Sequence, residues 1–552
     1  MMHLLRMLVG HADVNEARPV ETMVVVSPRV WRRWFATLAL VAAVACAFEP
    51  SVVVVFPATA AVVSATLFVQ GMKWKWMLRW LGIASGSVIT AVALNLPWAL
   101  TYVRDGWWEA LFGAPVESGR RHGLWSLLTF DLGSTWLSSL VIGVYAAVIG
   151  AVFLVRGART QWALRGATLV GAGLLVAVAD DAGLLPLHAA EPGVMLVPVA
   201  VGVSLCAGAM AASLATDLGR GRLSWRQPFA TLVGAVFAVG LVPTAVNVAD
   251  GSWHQPAVTT TDLLTQLPDA SVDGEYRTLF IGDSRVLPGS PLGFGWGISY
   301  SIVNGRSARV DEQWEVPETR ARETALAAMY GIVRGQTSRA GRLLGPLSVR
   351  YVVVPVVDGA QSTRSQPIAA PPGLVESLSR QLDLRRRFAS PDLVVFENTA
   401  WVPVRSMLTQ EGARSSNLAG ASSMITADIA GATSLPVVDR PDESVVADVQ
   451  AGTLHLAVPF TSRWSVTLEG SDVPGRPAFG LTNAYDIPAA GRVEIAFDPT
   501  WLQRVMVPLQ LLGWIVVIAV AAGRRRRRTS TAPAGPVVFA EPALSMSDRS
   551  GA

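Results

Sequence analysis

The sequence predicts a polytopic α-helical membrane protein of about eight transmembrane helices, with an extracytoplasmic α/β domain followed by a small β-sandwich. Three observations predict it. Met506–Gly523 is an apolar run close to the ~20 residues that cross a ~30 Å hydrocarbon layer, and Arg524 to Arg528 follow it at once. The chain is 51% hydrophobic and only 16% charged, with mean hydropathy +0.40, against ~25% charged in a soluble domain. Basic and acidic connections between the apolar runs also fall alternately on opposite sides, and basic flanks stay on the cytoplasmic side.

Taken in order, residues 1–30 read as a cytoplasmic segment without a cleavable signal. Residues 31–248 read as a membrane domain of seven helices. Its spans are 35–48 and 52–70, split by Glu49-Pro50-Ser51, then 81–98, 136–155, 167–179, 194–214 and 229–246. The flanks 30–34, 71–80, 156–165 and 220–227 are basic and hence inside; Asp180 to Glu191 is acidic and outside. In the outer loop 99–135, RDGWWEALFG (104–113) sets Trp107, Trp108, Leu111 and Phe112 on one helical face, as an interfacial helix does.

From 249 to 503 the composition turns soluble, and this stretch is expected outside. Strands at 276–281, 297–303, 349–357 and 393–396 interleave with helices at 317–334 and 371–384, an α/β pattern over 249–410. A Ser/Ala/Gly-rich linker is expected over 411–435. Alternating strands at 444–449, 452–459, 463–469 and 492–497 then suggest a β-sandwich over 436–503. Residues 504–523 form the closing span, and 524–552 a basic, disordered cytoplasmic tail, which places both termini inside a plasma membrane.

Composition and motifs exclude several classes. The arginine block accounts for the net charge of +4, so no nucleic-acid partner is expected. Cys46 and Cys206 lie in apolar runs and read as buried thiols; the six histidines have no zinc spacing, so no metal and no cofactor are expected. Ile281-Gly282-Asp283-Ser284 imitates an esterase nucleophile block, but no Asp stands three residues before His254 or His455 to complete a relay. GFGWG (293–297) does not open a helix and cannot seat phosphates there. The spans carry almost no ionisable residues, against a transporter. What remains are acids expected at the outer surface: Glu49, Asp105, Glu109, Asp131, Asp180, Asp181 and Glu191. Asp105, Glu109 and Asp131 are the candidate catalytic residues, because glycosyl transfer needs a carboxylate to take the acceptor's proton. Trp253, Trp296, Trp314, Trp401 and Trp464 could pack in the core or stack on sugar rings.

LNLPWAL (94–100), LLTFDLGS (127–134), EPGVMLVPVAVG (191–202), SWRQ (224–227), TLFIGDSRVLP (278–288), RLLGPLSVRYVVVP (342–355) and LVVFENTAWVPVR (393–405) together carry a resemblance. Residues 35–520 resemble the C-terminal membrane and outer portions of large actinobacterial membrane proteins classed as family-2 glycosyltransferases. The closing sandwich, with Trp464-Ser465-Val466, Gly470 and Asn483-Ala484, is similar to the C-terminal module of GT-C-like membrane glycosyltransferases. The resemblance implies cell-envelope polysaccharide or glycolipid assembly, with a polyprenyl-phosphate sugar donor on the outer face. The alternative is a non-catalytic membrane partner whose outer domain binds or guides an envelope glycan or protein. Implied partners are membrane lipid, a polyprenyl-linked sugar or envelope glycan, and a separate family-2 glycosyltransferase subunit. The full-length relatives place a cytoplasmic nucleotide-sugar domain ahead of this region, and these residues hold none.

Overall fold

The computed structural model describes residues 28–69, 74–96, 99, 123–130, 136–156, 159–182, 184, 195–214, 225–250, 260–269, 273–289, 291–306, 308, 320–358, 362, 367–438 and 443–523. Among them, five helices are long and apolar enough to cross a membrane: 31–48, 77–94, 137–154, 160–181 and 504–522. Shorter helical segments occupy the other expected positions, so the count of about eight is an expectation that length and hydropathy support for five.

The first helical group is α1 (Pro28–Phe48), α2 (Val52–Val69) and α3 (Trp74–Leu94), closed by the last helix, α16 (Trp501–Ala522). Helix α1 begins at Pro28, ahead of the basic flank 30–34, and α3 begins within the basic flank 71–80. Trp31 packs edge-on against Trp34 and Trp80 at 5.5 and 5.8 Å, so the tryptophans extend the helices rather than precede them. The directions of these helices follow from their bonds. Arg33, near the start of α1, donates to the carbonyls of Ala521 and Ala522 at the end of α16, both at 3.4 Å, where a cation offsets the helix's C-terminal partial charge. At the far end, Asn95 Nδ2 donates to Ala43 O at 3.0 Å. Gln510 Nε2 and Trp514 Nε1 both donate to Leu94 O, at 2.8 and 2.9 Å, and so satisfy a terminal carbonyl of α3. Hence α1 and α3 run one way and α16 the other. The turn at Glu49, the end of α3 and the entry to α16 share one end of the bundle.

The second group contains α4 (Gly123–Leu128), a 3₁₀ segment (Trp136–Tyr145) leading into α5 (Ala146–Leu154), α6 (Thr160–Asp181), α7 (Val197–Ser213), α8 (Arg226–Gly240) and α9 (Val242–Asp250). Helix α2 packs on α6 and joins the two groups. Lipid supplies no hydrophobic drive between helices, so small residues set how closely they approach. Here α6 meets α7 at Gly166 and Gly202, where a Cβ on Gly202 would stand 2.5 Å from Gly166 O. Gly143 and Gly240 make the same kind of approach between the 3₁₀ segment and α8. Cys46 and Cys206 are fully buried, the latter with Sγ 3.6 Å from Ala163 O.

Residues 260–498 build the part that the sequence leads one to expect outside, called the outer part below. After the short α10 (Thr260–Leu263) comes a six-stranded sheet: β1 (Arg277–Gly282), β2 (Leu292–Gly295), β3 (Ile298–Asn304), β4 (Val349–Pro355), β5 (Leu384–Ala389) and β6 (Leu393–Asn398), in the order β2-β3-β1-β4-β6-β5. Only β1 and β4 pair in parallel. Its covering helices are α11 (Arg320–Val333), α12 (Ala340–Leu344) and α13 (Leu374–Ser379). The expected helix over 371–384 stops early, because Leu384–Ala389 is an edge strand whose three arginines hide its character.

Residues 411–435, expected as a linker, carry α14 (Gln410–Ser415), α15 (Ala421–Thr426) and β8 (Thr433–Ser434). Met424, Ala427 and Ile429 from this stretch are buried in the same core as β1 and β4. Gly345 lets this stretch approach closely, since a Cβ there would lie 2.7 Å from the Ile429 side chain. The sandwich also starts earlier than expected, at β7 (Arg405–Met407). With β9 (Val445–Val449), β10 (Gly452–Pro459), β11 (Trp464–Leu468), β12 (Ser471–Val473), β13 (Gly475–Ala478), β14 (Thr482–Ile487) and β15 (Gly491–Phe497) it forms sheets β13-β14-β10-β7-β8 and β12-β11-β15-β9. One core lies between these sheets, around Leu454, Leu456, Val466 and Ile495. Ala478, Phe479, Leu481 and Ala484 belong instead to the core of the α/β sheet. The five-stranded sheet is therefore covered on both faces, and the two expected domains share a core.

Candidate functional site

Asp105, Glu109 and Asp131, together with Glu191, lie outside the described residues, as does the interfacial helix expected over 104–113. Three of the outer acids are described. Asp181 ends α6, and its Oδ2 accepts the backbone N–H of Gly123 at 3.2 Å, which caps the start of α4. Asp180 precedes it, half-buried. Both stand at a helix end, and Asp181 has structural work there.

Glu49 is placed differently. Its backbone N–H closes the last turn of α1 on Ala45 O at 2.8 Å. One carboxylate oxygen, Oε1, accepts both the Ser51 N–H, at 3.3 Å, and the Ser51 hydroxyl. Pro50 and Ser51 are buried, which fixes this turn against the bundle. Oε2 has no protein partner among the described residues. The result is a half-buried carboxylate with one oxygen oriented and the other open to accept a proton. Directly beneath it pack Ala42, Ala43, Cys46, Ala91 and Leu94, with Val52, Val53 and Trp514 against them. The polar residues that tie this junction together, Asn95, Gln510 and Trp514, are not ones that the hydropathy pattern singles out. Their signal was available: a polar amide inside an apolar span is costly unless bonded within the bundle.

The outer part enters the bundle at the same end. Arg463 Nε donates to Asp498 O at 3.1 Å and its guanidinium lies 4.5 Å over Phe497; Arg504 pairs with Asp498 at 3.0 Å. Trp501, the first residue of α16, is exposed. Such a collar of aromatic and basic side chains suits a membrane–water boundary.

The esterase-like block is a turn. Asp283 caps the 3₁₀ turn 284–286 and holds Arg285 through Oδ1–Nε and Oδ2–Nη2, at 2.8 and 2.7 Å. His455 sits fully buried on β10, its Nε2 2.8 Å from Thr482 Oγ1, committed to the sheet rather than to a serine. No group of three or more His, Cys, Asp or Glu that could hold a metal occurs among the described residues. Of the five outer tryptophans, Trp253 and Trp314 lie outside the described residues, Trp464 is buried and Trp401 half-buried; Trp296 stands exposed.

No protein-family model and no curated protein matches the chain. Among solved structures, the arabinofuranosyltransferase AftD from Mycobacteria aligns over 86% of this chain and 47% of its own length, at 13% identity and a TM-score of 0.28. The chain thus spans about half the length of that protein, and the correspondence falls below that of a shared fold.

Proposed function

We propose that this chain is an integral membrane, glycosyltransferase-related protein of cell-envelope polysaccharide or glycolipid assembly, working at the outer membrane surface. Glu49 carries the reading: an oriented, half-buried carboxylate at the end of the bundle where a large folded domain is anchored. A carboxylate so placed can take the proton of an acceptor hydroxyl as the glycosidic bond forms. Nucleotide sugars stay inside the cell, so a site at this end draws its sugar from a polyprenyl-phosphate carrier in the same leaflet. The seven sequence segments between 94 and 405 that resemble membrane glycosyltransferases support the same setting. Asp105, Glu109 and Asp131 remain candidates beside Glu49, and a separate family-2 subunit is a candidate partner.

Cells carrying only Glu49→Gln, or only the triple variant Asp105→Ala/Glu109→Ala/Asp131→Ala, test this by metabolic labelling of envelope glycan. Loss of a general base costs roughly 10²–10⁴ in rate, so one of the two should reduce label incorporation at least about tenfold at normal protein level. Normal incorporation in both removes the catalytic reading. The alternative, a non-catalytic partner that guides a glycan, is favoured by the exposed Trp296 of the outer domain.

A further inference from the structure

Strands β2 and β3 close on a two-residue turn, Trp296-Gly297, flanked by the pair Gly295 and Ile298. Both turn residues have positive φ, 56° and 69°. This is the pattern of a type I′ hairpin turn, whose first central position favours Asn, Asp or Gly. A tryptophan there is strained by roughly 1–3 kcal/mol, and a bulky residue held in that region is an outlier. Burial does not compensate for it, since Trp296 is 57% exposed.

The ring is nevertheless held. Tyr330 meets it edge-on at 5.7 Å and 82°, and the Arg334 guanidinium lies 5.0 Å over the indole and 5.3 Å over Tyr330. Tyr330 and Arg334 are one helical turn apart at the end of α11, whose Met329 and Ile332 are fully buried in the core. Gly335, at φ 64°, ends that helix. Two rigid ends, a tight hairpin and an anchored helix terminus, therefore present one flat aromatic ring beside a cation.

Among the described residues, the exposed Leu418 and Phe460 belong to other elements, while the exposed Leu382 donates its N–H to Ser338 O at 2.7 Å, four residues past Arg334. The ring itself is one flat apolar face with guanidinium donors beside it. Its chemistry fits a ligand with one apolar face and a polar rim. We propose that Trp296, braced by Tyr330 and Arg334, is a saccharide-stacking subsite that takes one sugar ring of an envelope glycan. The C–H face of the sugar lies on the indole, and its hydroxyls lie within reach of the guanidinium donors. The proposal rests on the envelope-glycan reading and adds where the polymer is held.

The test uses the full chain in lipid nanodiscs, titrated with soluble arabinan, galactan, mannan and glucan fragments. At least one should bind, and Trp296→Asn should weaken it at least about tenfold, or ~1.4 kcal/mol. The same variant should hold or raise the melting temperature, because Asn suits the turn; a purely structural tryptophan would lower it. Trp296→Tyr should keep most of the binding. The proposal is overturned if wild type binds none of the fragments, if Trp296→Asn binds unchanged, or if brominated lipid quenches the fluorescence that Trp296→Tyr removes. In that last case the ring is a membrane anchor. Loss of labelling in Glu49→Gln cells alongside unchanged glycan binding by Trp296→Asn sinks the subsite and leaves the functional reading standing.

Discussion

Glu275→Gln destabilises the outer domain by about 1–3 kcal/mol, the cost of removing the charged acceptor from a largely buried, hydrogen-bonded pair. Arg405 is almost fully buried, and its Nη1 donates to both oxygens of Glu275, at 2.8 and 2.6 Å. Oε1 also accepts the Val438 N–H at 2.8 Å. Glu275 thus knits the entry to β1, the strand β7 and the segment after β8 into one body, where an ordinary domain has only ~5–15 kcal/mol in hand. Thermal unfolding of the full chain in nanodiscs, followed by near-ultraviolet circular dichroism, measures the effect. The double variant Glu275→Leu/Arg405→Met should recover most of the loss, because it removes the buried charge along with its partner. A melt unchanged by Glu275→Gln would contradict the assigned role.

The second large effect is a dependence on acid. His455 faces Phe479, 5.9 Å away, in the junction between the sandwich and the α/β sheet, with Arg277 and Arg476 as the charged groups acting on it. Thr482 Oγ1 donates onward to Ala478 O at 3.3 Å, so His455 Nε2–H donates to Thr482 and Nδ1 is left bare. Burial, and secondarily the two arginines, push the imidazole down from its ordinary 6.5 to about 3. Below pH 6.5 the unfolded chain takes up a proton that the folded domain refuses until about pH 3. Stability is therefore full above 6.5 and falls through that window by ~1.4 kcal/mol per pH unit. Between pH 6.5 and 4.5 the outer domain should lose about 3 kcal/mol, or very roughly 6–12 °C in melting temperature. His455→Gln should flatten this slope. Asp486 also has a lowered value, chiefly from its hydrogen bonds to Arg476, but it acts only below the ordinary Asp range and leaves the window to His455. An equally steep slope in His455→Gln would contradict this account.

The same junction shows what the sequence could and could not disclose. Helix positions in the membrane half were legible because apolar length and basic flanks are local properties; α6, α7 and α16 lie within the expected runs or extend them by less than two turns. Strands with β-branched or alternating residues, such as β4 and β10, were legible for the same reason. What escaped was decided by distant packing. Leu454 and Leu456 face the sandwich core, so in a two-layer sandwich His455 between them would point to water; it is buried because the α/β sheet covers that face. The stretch 411–435 looks like a linker until Met424 and Ile429 are seen in a shared core. At the candidate site, Glu49 was visible as an outer acid, but its orientation by Ser51 depends on a turn that no spacing rule specifies. Trp296 was one of five equivalent tryptophans until exposure and a positive φ set it apart.

The outer domain and Glu49 are expected to share one side of the bilayer, with the start of α1 and the end of α16 on the cytoplasmic side. Cys46 and Cys206 are fully buried, so introduced thiols report cleanly. In intact cells a membrane-impermeant maleimide should label Ser471→Cys on β12 and should reach Arg32→Cys on α1 only after permeabilisation. Labelling of Arg32→Cys from outside, with Ser471→Cys protected until the cells are opened, would contradict the threading and the envelope-glycan function built on it.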